Sequence, residues 1–211
     1  MHKFTDIRMA VISLAILVSV SCTEKLERDW KQFEPYTEHF NLAEIDADGN
    51  EYLEVSAVKS ISKSDVEKYV IGNGWKSVAV YELDKNKDVA GVWELKDDLP
   101  LINEQTLHDC FEVKGFGENQ LIQYGLLDGR YEDLDFAYDE NDNSISLDAC
   151  WFVAHNGKLV FLSDDVMVCV DGKEWVAEGR NPYVFMVVFE KVSKSTLKEW
   201  RKKCPDPRLW I

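Results

Sequence analysis

Histidine is scarce in this 211-residue chain, with only His2, His39, His108 and His155 present. None of the last three stands at metal-ligand spacing from another, so no metal site is expected. Nucleophile signatures are missing too. There is no Gly-x-Ser-x-Gly and no glycine-rich phosphate loop, and no Cys-x-x-Cys pair that would suggest a zinc knuckle or a thioredoxin-type site. Positive charge is outnumbered, with 24 Lys and Arg against 39 Asp and Glu for a formal charge of −15. Such a balance repels phosphate backbones and anionic headgroups, which argues against nucleic acid as a partner. No apolar run reaches the roughly 20 residues that a membrane-spanning helix needs. No cofactor is implied.

What the chain has begins at its N-terminus. Lys3 and Arg8 precede the apolar stretch Met9–Val20, which ends in Ser19-Val20-Ser21-Cys22 before an abruptly polar continuation. A basic segment, an apolar segment and small residues before a cysteine make an export signal. It resembles a bacterial lipoprotein signal peptide, matching the lipobox at Val20, Ser21 and Cys22 and departing from it at Ser19, where Leu is usual. That resemblance implies residues 1–21 as a signal peptide and Cys22 as the acylated anchor. Anchoring by a diacylated cysteine with an amide-linked chain is firm, because one acyl chain alone binds only marginally. The implied address is the cell envelope, at the outer membrane on its periplasmic or surface face, with the membrane itself as a partner. Removal of Lys3, Asp6 and Arg8 makes the mature charge one unit more negative.

The remaining chain is long enough for one domain with its own core. A hydrophobic content of 45% and an aromatic content of 12% are those of a folded protein rather than a disordered one. Cys110, Cys150, Cys169 and Cys204 permit two disulfides in three pairings, or four buried free thiols.

Residues 22–61 read as a tether followed by a hairpin around Asp46-Ala-Asp48-Gly49-Asn50. A short helix follows over Ser62–Ile71, with Ser64 and Glu67 as a capping box and Gly72 or Gly74 as the left-handed stop. From Trp75 onward the pattern has period two. Lys76–Leu83 and Val89–Leu95, Leu107–Val113 and Gln120–Leu126, and Tyr131–Tyr138 and Ile145–Ala154 are paired around polar loops. Asn156-Gly157 and Asp171-Gly172 mark tight turns, Tyr183–Lys191 is apolar on both faces, and Thr196–Lys203 is a helix capped by Ser193 or Ser195. About nine or ten strands with short loops predict an antiparallel up-and-down β-barrel over residues 62–204, with a tail at 205–211. A sandwich is the competing architecture and needs longer connections. A monomer is expected.

With Gly74-Trp75 at the start of the first barrel strand, a preceding short helix and a closing one, the chain resembles the lipocalin-like lipoproteins of Gram-negative anaerobes. Typical lipocalins carry Gly-x-Trp; here the run is Gly72-Asn-Gly74-Trp75. The resemblance implies a lipocalin-like barrel but little chemistry, since such barrels host many roles.

Candidate sites follow from these features. Asp46-x-Asp48-x-Asn50, Asp84-x-Asn86-x-Asp88 and Asp139-x-Asn141-x-Asn143 hint at calcium. An EF-hand loop needs Gly sixth and Glu twelfth, where these segments have Glu51, Val89 and Ser144, then Ala57, Leu95 and Cys150. They read as Asx-rich turns. Acidic pairs such as Glu132-Asp133 and Asp164-Asp165 could serve glycosidase chemistry, although a chain so rich in carboxylates juxtaposes them by chance. The aromatic residues of the strands are the stronger signal. Trp75, Tyr81, Trp93, Tyr124, Trp151 and Trp175 are expected to line an apolar ligand site within the barrel. The competing reading is that they fill the core. The functional expectation is therefore a non-enzymatic, membrane-anchored binding module for a small apolar or amphipathic ligand. The alternatives are a scaffold for an envelope protein partner or an envelope hydrolase.

Overall fold

A computed structural model describes residues 34–47, 50–93, 95, 109–153, 157–171 and 182–210. The signal segment and Cys22 lie outside these residues. Two compact units divide the chain, Met1–Thr37 and Glu38–Ile211; of the first, only part of the 3-10 turn Glu34–His39 is described.

Eleven strands are present among the described residues. β1 (Phe40–Ala47) and β2 (Asn50–Ala57) form a separate antiparallel hairpin. The others are β3 (Asn73–Leu83), β4 (Val89–Trp93), β5 (Cys110–Val113), β6 (Gly117–Gly125), β7 (Arg130–Asp139), β8 (Ser144–Leu147), β9 (Gly157–Leu162), β10 (Val166–Asp171) and β11 (Val184–Lys191). These nine make one antiparallel sheet, and pairing of β11 with β3 closes it into a ring. The fold is thus a mainly β, closed antiparallel barrel, as the period-two pattern predicts. Consecutive strands from β5 to β11 are neighbours in the up-and-down order. One departure concerns β3, whose second edge is shared: Asn73–Lys76 pair with β5 and Val80–Leu83 with β4.

Helix α1 (Lys63–Tyr69) closes one end. Its cap is Ser62 rather than Ser64: the Ser62 hydroxyl accepts from Asp65 N at 3.1 Å and donates to the Asp65 carboxylate at 2.7 Å. The capping pair therefore starts two residues earlier than expected, with Asp65 in the acidic role. Gly72 supplies the left-handed residue after the helix, at φ +77°. Val66 and Val70 enter the barrel core, and Trp75 Nε1 donates to Val70 O at 3.4 Å.

Helix α2 (Lys194–Lys203), capped by Ser193 through Thr196 N at 3.1 Å, covers the outside of the wall. Leu197 and Trp200 bury against Cys110, Ile122 and Tyr124. Here Glu112, only 3% exposed, accepts from both Arg201 Nε (3.0 Å) and Arg201 Nη2, and from the Tyr124 hydroxyl (2.8 Å). A buried carboxylate requires such partners. The tail is held as well, because Arg208 binds Asp206 and reaches Asp133 at 3.1 Å.

The hairpin β1–β2 is the second outer cover. β2 packs against β9, the rings of His39 and Phe161 lie 4.9 Å apart, and Lys87 donates to Phe40 O. Phe40, Leu53 and Val55 are buried.

The four cysteines among the described residues are free, buried thiols. Cys110 and Cys204 belong to the cluster beneath α2, and Cys150 and Cys169 to the barrel core. The expected strand 145–154 ends at Leu147, and Trp151–Val153 form a 3-10 turn. Of the two tight turns, residues 154–156 and Gly172 lie outside the described residues.

Asn143 ties the closed end together. Buried at φ +58°, it donates to Lys59 O (2.8 Å) and Leu159 O (3.0 Å), and it accepts from Ile61 N (3.2 Å) and the Tyr138 hydroxyl (3.3 Å). Asn tolerates the left-handed region better than Ala. Asn143→Ala should cost about 2–4 kcal/mol through orphaned partners and backbone strain, read from denaturant midpoints. Asn143→Gly should fall between the two, since it relieves only the backbone.

Candidate functional site

Strand register orders the barrel interior into rows. Next to α1 the core is solid: Trp75, Phe111, Phe136 and Phe189 have no exposed surface. The rings of Phe111 and Phe189 meet edge to face at 5.4 Å, and those of Phe116 and Phe136 stack at 5.6 Å.

The next level is polar. Ser77 stands opposite Phe189 on β3, and Asp109 N donates to Ser77 Oγ at 2.7 Å while Ser77 N donates to Asp109 O at 2.9 Å. Asp109 shares strand parity with Phe111 and Val113, both core residues, so its carboxyl faces inward. Desolvation pushes that carboxyl up to about 7, although the Cys150 thiol and Ser77 hydroxyl hydrogen-bond to it. Burial, and then the neighbouring Asp109, raise the Cys150 thiol well above its ordinary range. Cys169 is raised by burial alone. Thiols held in their neutral form are poor nucleophiles.

Above this polar level, Leu159, Cys169, Val187, Val80 and Trp93 lie side by side across β9, β10, β11, β3 and β4. The outermost row is Gly157, Asp171, Phe185, Glu82 and Gly91. Aromatic rings gather here. Trp93 meets Phe152 at 5.3 Å and Phe185 at 6.3 Å, Phe152 meets Phe185 at 5.0 Å, and Tyr183 meets Phe185 at 5.3 Å. All are edge-to-face, the geometry that the ring quadrupole favours. Trp93 and Tyr183 are half-buried, whereas Phe152 is buried. This is the end opposite α1, where β10 ends and β11 begins; residues 172–181 lie outside the described residues.

The aromatic residues named from the sequence are not brought to one lining. Trp75 and Trp93 belong to the interior cluster, Trp75 deep beside α1 and Trp93 near the open end. Tyr81 follows the inward Val80 and so points outward, where it is buried. Tyr124 also faces outward, beneath α2, its ring 5.9 Å from Trp200. Trp151 begins the 3-10 turn, not a strand; its side chain and the whole of Trp175 lie outside the described residues. Sequence reasoning missed Glu82, Asp109 and Phe152. The available signal was parity: Asp109 alternates with Phe111 and Val113, which puts a carboxylate on an apolar face.

The other candidates have structural explanations. Asp84 Oδ1 accepts from Asn86 N (2.8 Å) and Asp88 N (2.9 Å), and Asp139 Oδ1 from Asn141 N (3.0 Å), which are Asx turns. The turn at Asp48-Gly49 lies outside the described residues, as do His108 and His155. Asp133 pairs with Arg208, and Asp164 and Asp165 with Lys191. No group of three metal-ligating side chains occurs among the described residues. No helix among them is long and apolar enough to cross a membrane. Outside the barrel, a shallow groove of about 370 Å³ is lined by Ala137, Asp139, Ser144, Ser146 and Lys158, with Lys158 bonded to Asp142 and Ser144. The chain matches no family model, no curated protein and no solved structure.

The raised Asp109 carboxyl carries a stability signature. Between about pH 4 and 7 the native state holds this proton and the unfolded chain has released it, so stability falls as pH rises through that window. Asp109→Asn should flatten that part of the profile and stabilise the protein at pH 8, by an amount on the order of a few kcal/mol. Urea unfolding of both proteins from pH 4 to 8 measures it. Parallel profiles would show that Asp109 is not desolvated.

Proposed function

We propose that this chain is a lipid-anchored, non-enzymatic envelope protein whose barrel binds a small amphipathic molecule at the open end. The aromatic group of Trp93, Phe152, Tyr183 and Phe185 carries this reading. Rings at one end, two of them half-exposed, beside inward carboxylates offer an apolar surface with a few polar groups, as small-molecule sites do. The solid packing next to α1 argues for a shallow site rather than a deep lipid cavity. A catalytic reading has less support, because the thiols at the polar level are held neutral and Asp109 has no histidine beside it among the described residues. The lipocalin resemblance agrees with a binding role but rests on Gly74-Trp75 and the element order.

The anchor reading rests on Cys22 and the segment before it. Cys22→Ser should abolish labelling by palmitate and move the protein from the membrane to the soluble fraction. Persistence in the membrane fraction would show another means of attachment.

The binding reading is tested by native mass spectrometry of the full chain purified in detergent from its own envelope, compared with its denatured mass. An added mass of a few hundred daltons that is lost on denaturation is expected. A bare mass that remains bare after incubation with envelope lipid extract would transfer the role to a scaffold contacting a protein partner.

A further inference from the structure

The outermost interior row joins an unusual pair of chemistries. Glu82 stands between Phe185 on β11 and Gly91 on β4. Its side chain lies over Gly91: a Cβ added there would sit 3.4 Å from Glu82 Oε2. Because Gly91 alternates with Trp93, the carboxylate lies on the same face as the Trp93 indole. The Glu82 side chain itself covers the position that a side chain at Gly91 would take. Glu82 is half-buried, and among the described residues it neither accepts a hydrogen bond nor pairs with a cation.

A carboxylate accepts hydrogen bonds and pairs with cations, so one with no partner within the protein is available to a cationic group. Neither of the two outer rows contains a Lys or Arg. Arg130 and Lys191 have inward strand parity, but Arg130 lies by Glu132, 3.9 Å away, and Lys191 is bound by Asp164 at the closed end. Asp171 flanks Phe185 on its other side. The rings present an electron-rich surface, and indole is the best ring for holding a cation. The chain's net charge of −15 also draws cations towards the protein and repels anions.

Resting on the reading that the open end binds a small amphipathic molecule, we infer that this molecule carries an ammonium head group, held between the Glu82 carboxylate and the Trp93 indole. The apolar remainder lies against Phe185 and Tyr183. A fatty acid, the other common amphiphile, would bring its carboxylate against Glu82 and is disfavoured by charge repulsion.

Calorimetry on the full chain in nanodiscs of zwitterionic lipid tests this with three probes of equal chain length: octylammonium, octanol and octanoate. The ammonium probe should bind about tenfold or more tighter than octanol, with octanoate weakest. Glu82→Gln should bring the ammonium-to-octanol ratio down to about one, and Trp93→Leu should reduce the same ratio. Because the readout is a ratio within one variant, a change in overall stability does not mimic it. Equal affinities for ammonium and alcohol in the wild type, or a ratio unmoved by Glu82→Gln, would overturn the head-group assignment and leave the binding reading standing. Failure of all three probes to bind would overturn the binding reading and this inference with it.

Discussion

Everything in this fold depends on the ladder between β3 and β11. These strands lie far apart in the sequence, yet they pair from Trp75↔Lys191 to Val184↔Leu83, and that pairing turns an open sheet into a ring. An open sheet would expose two edges with unpaired backbone groups. The β11–β3 pairing closes the β11 edge and defines an inside. Only then do alternate residues acquire opposite fates, with Phe185, Val187 and Phe189 in the interior and Val184, Met186 and Val188 buried on the opposite face. The last strand is apolar on both faces for this reason. It is buried on both faces, as β5 is with Phe111 and Val113 in the core and Cys110 beneath α2.

The same ladder places the polar and aromatic levels. A bulge between Val188 and Phe189 leaves Val78 unpaired on β3, so Trp75 and Ser77 share the interior with Val80 and Glu82 rather than with Ala79 and Tyr81. Without that irregularity, Tyr81 would point inward and Glu82 would point out. One extra residue in one strand thus decides that the open end presents a carboxylate and not a phenol.

This explains what the sequence could and could not disclose. Strand existence and order were legible, because period-two runs separated by Asx-rich loops leave few alternatives, and Ser193 and Gly72 act as cap and stop as expected. Parity was not legible across a bulge, since the pattern on each side reads as a valid strand. Counting aromatic residues therefore overestimated the lining: Tyr81 and Tyr124 are strand residues with ordinary alternation, but their face is set by tertiary packing against outer covers. The helix cap at Ser62 was hidden by a second, equally plausible Ser-x-x-Glu two residues on. The role of Asn143 was hidden because its partners, Lys59, Ile61 and Leu159, are brought to it only by the closed barrel.

The two ends of the barrel also place different demands on its polar groups. At the wall and at the closed end, each buried polar side chain is matched within the protein: Glu112 by Arg201 and Tyr124, and Asn143 by four partners. Such matching stabilises the structure and leaves nothing for a ligand to supply. Towards the open end the matching loosens. Asp109 has two weakly acidic donors, and its carboxyl responds by holding a proton to about pH 7. Glu82, higher still, has no donor among the described residues. This gradient runs along the barrel axis in the same direction as the change from buried to half-exposed rings. A stable fold tolerates incomplete satisfaction where a ligand or solvent can complete it. Under the proposed binding role, the end opposite α1 is where a ligand would complete what the protein leaves unmatched.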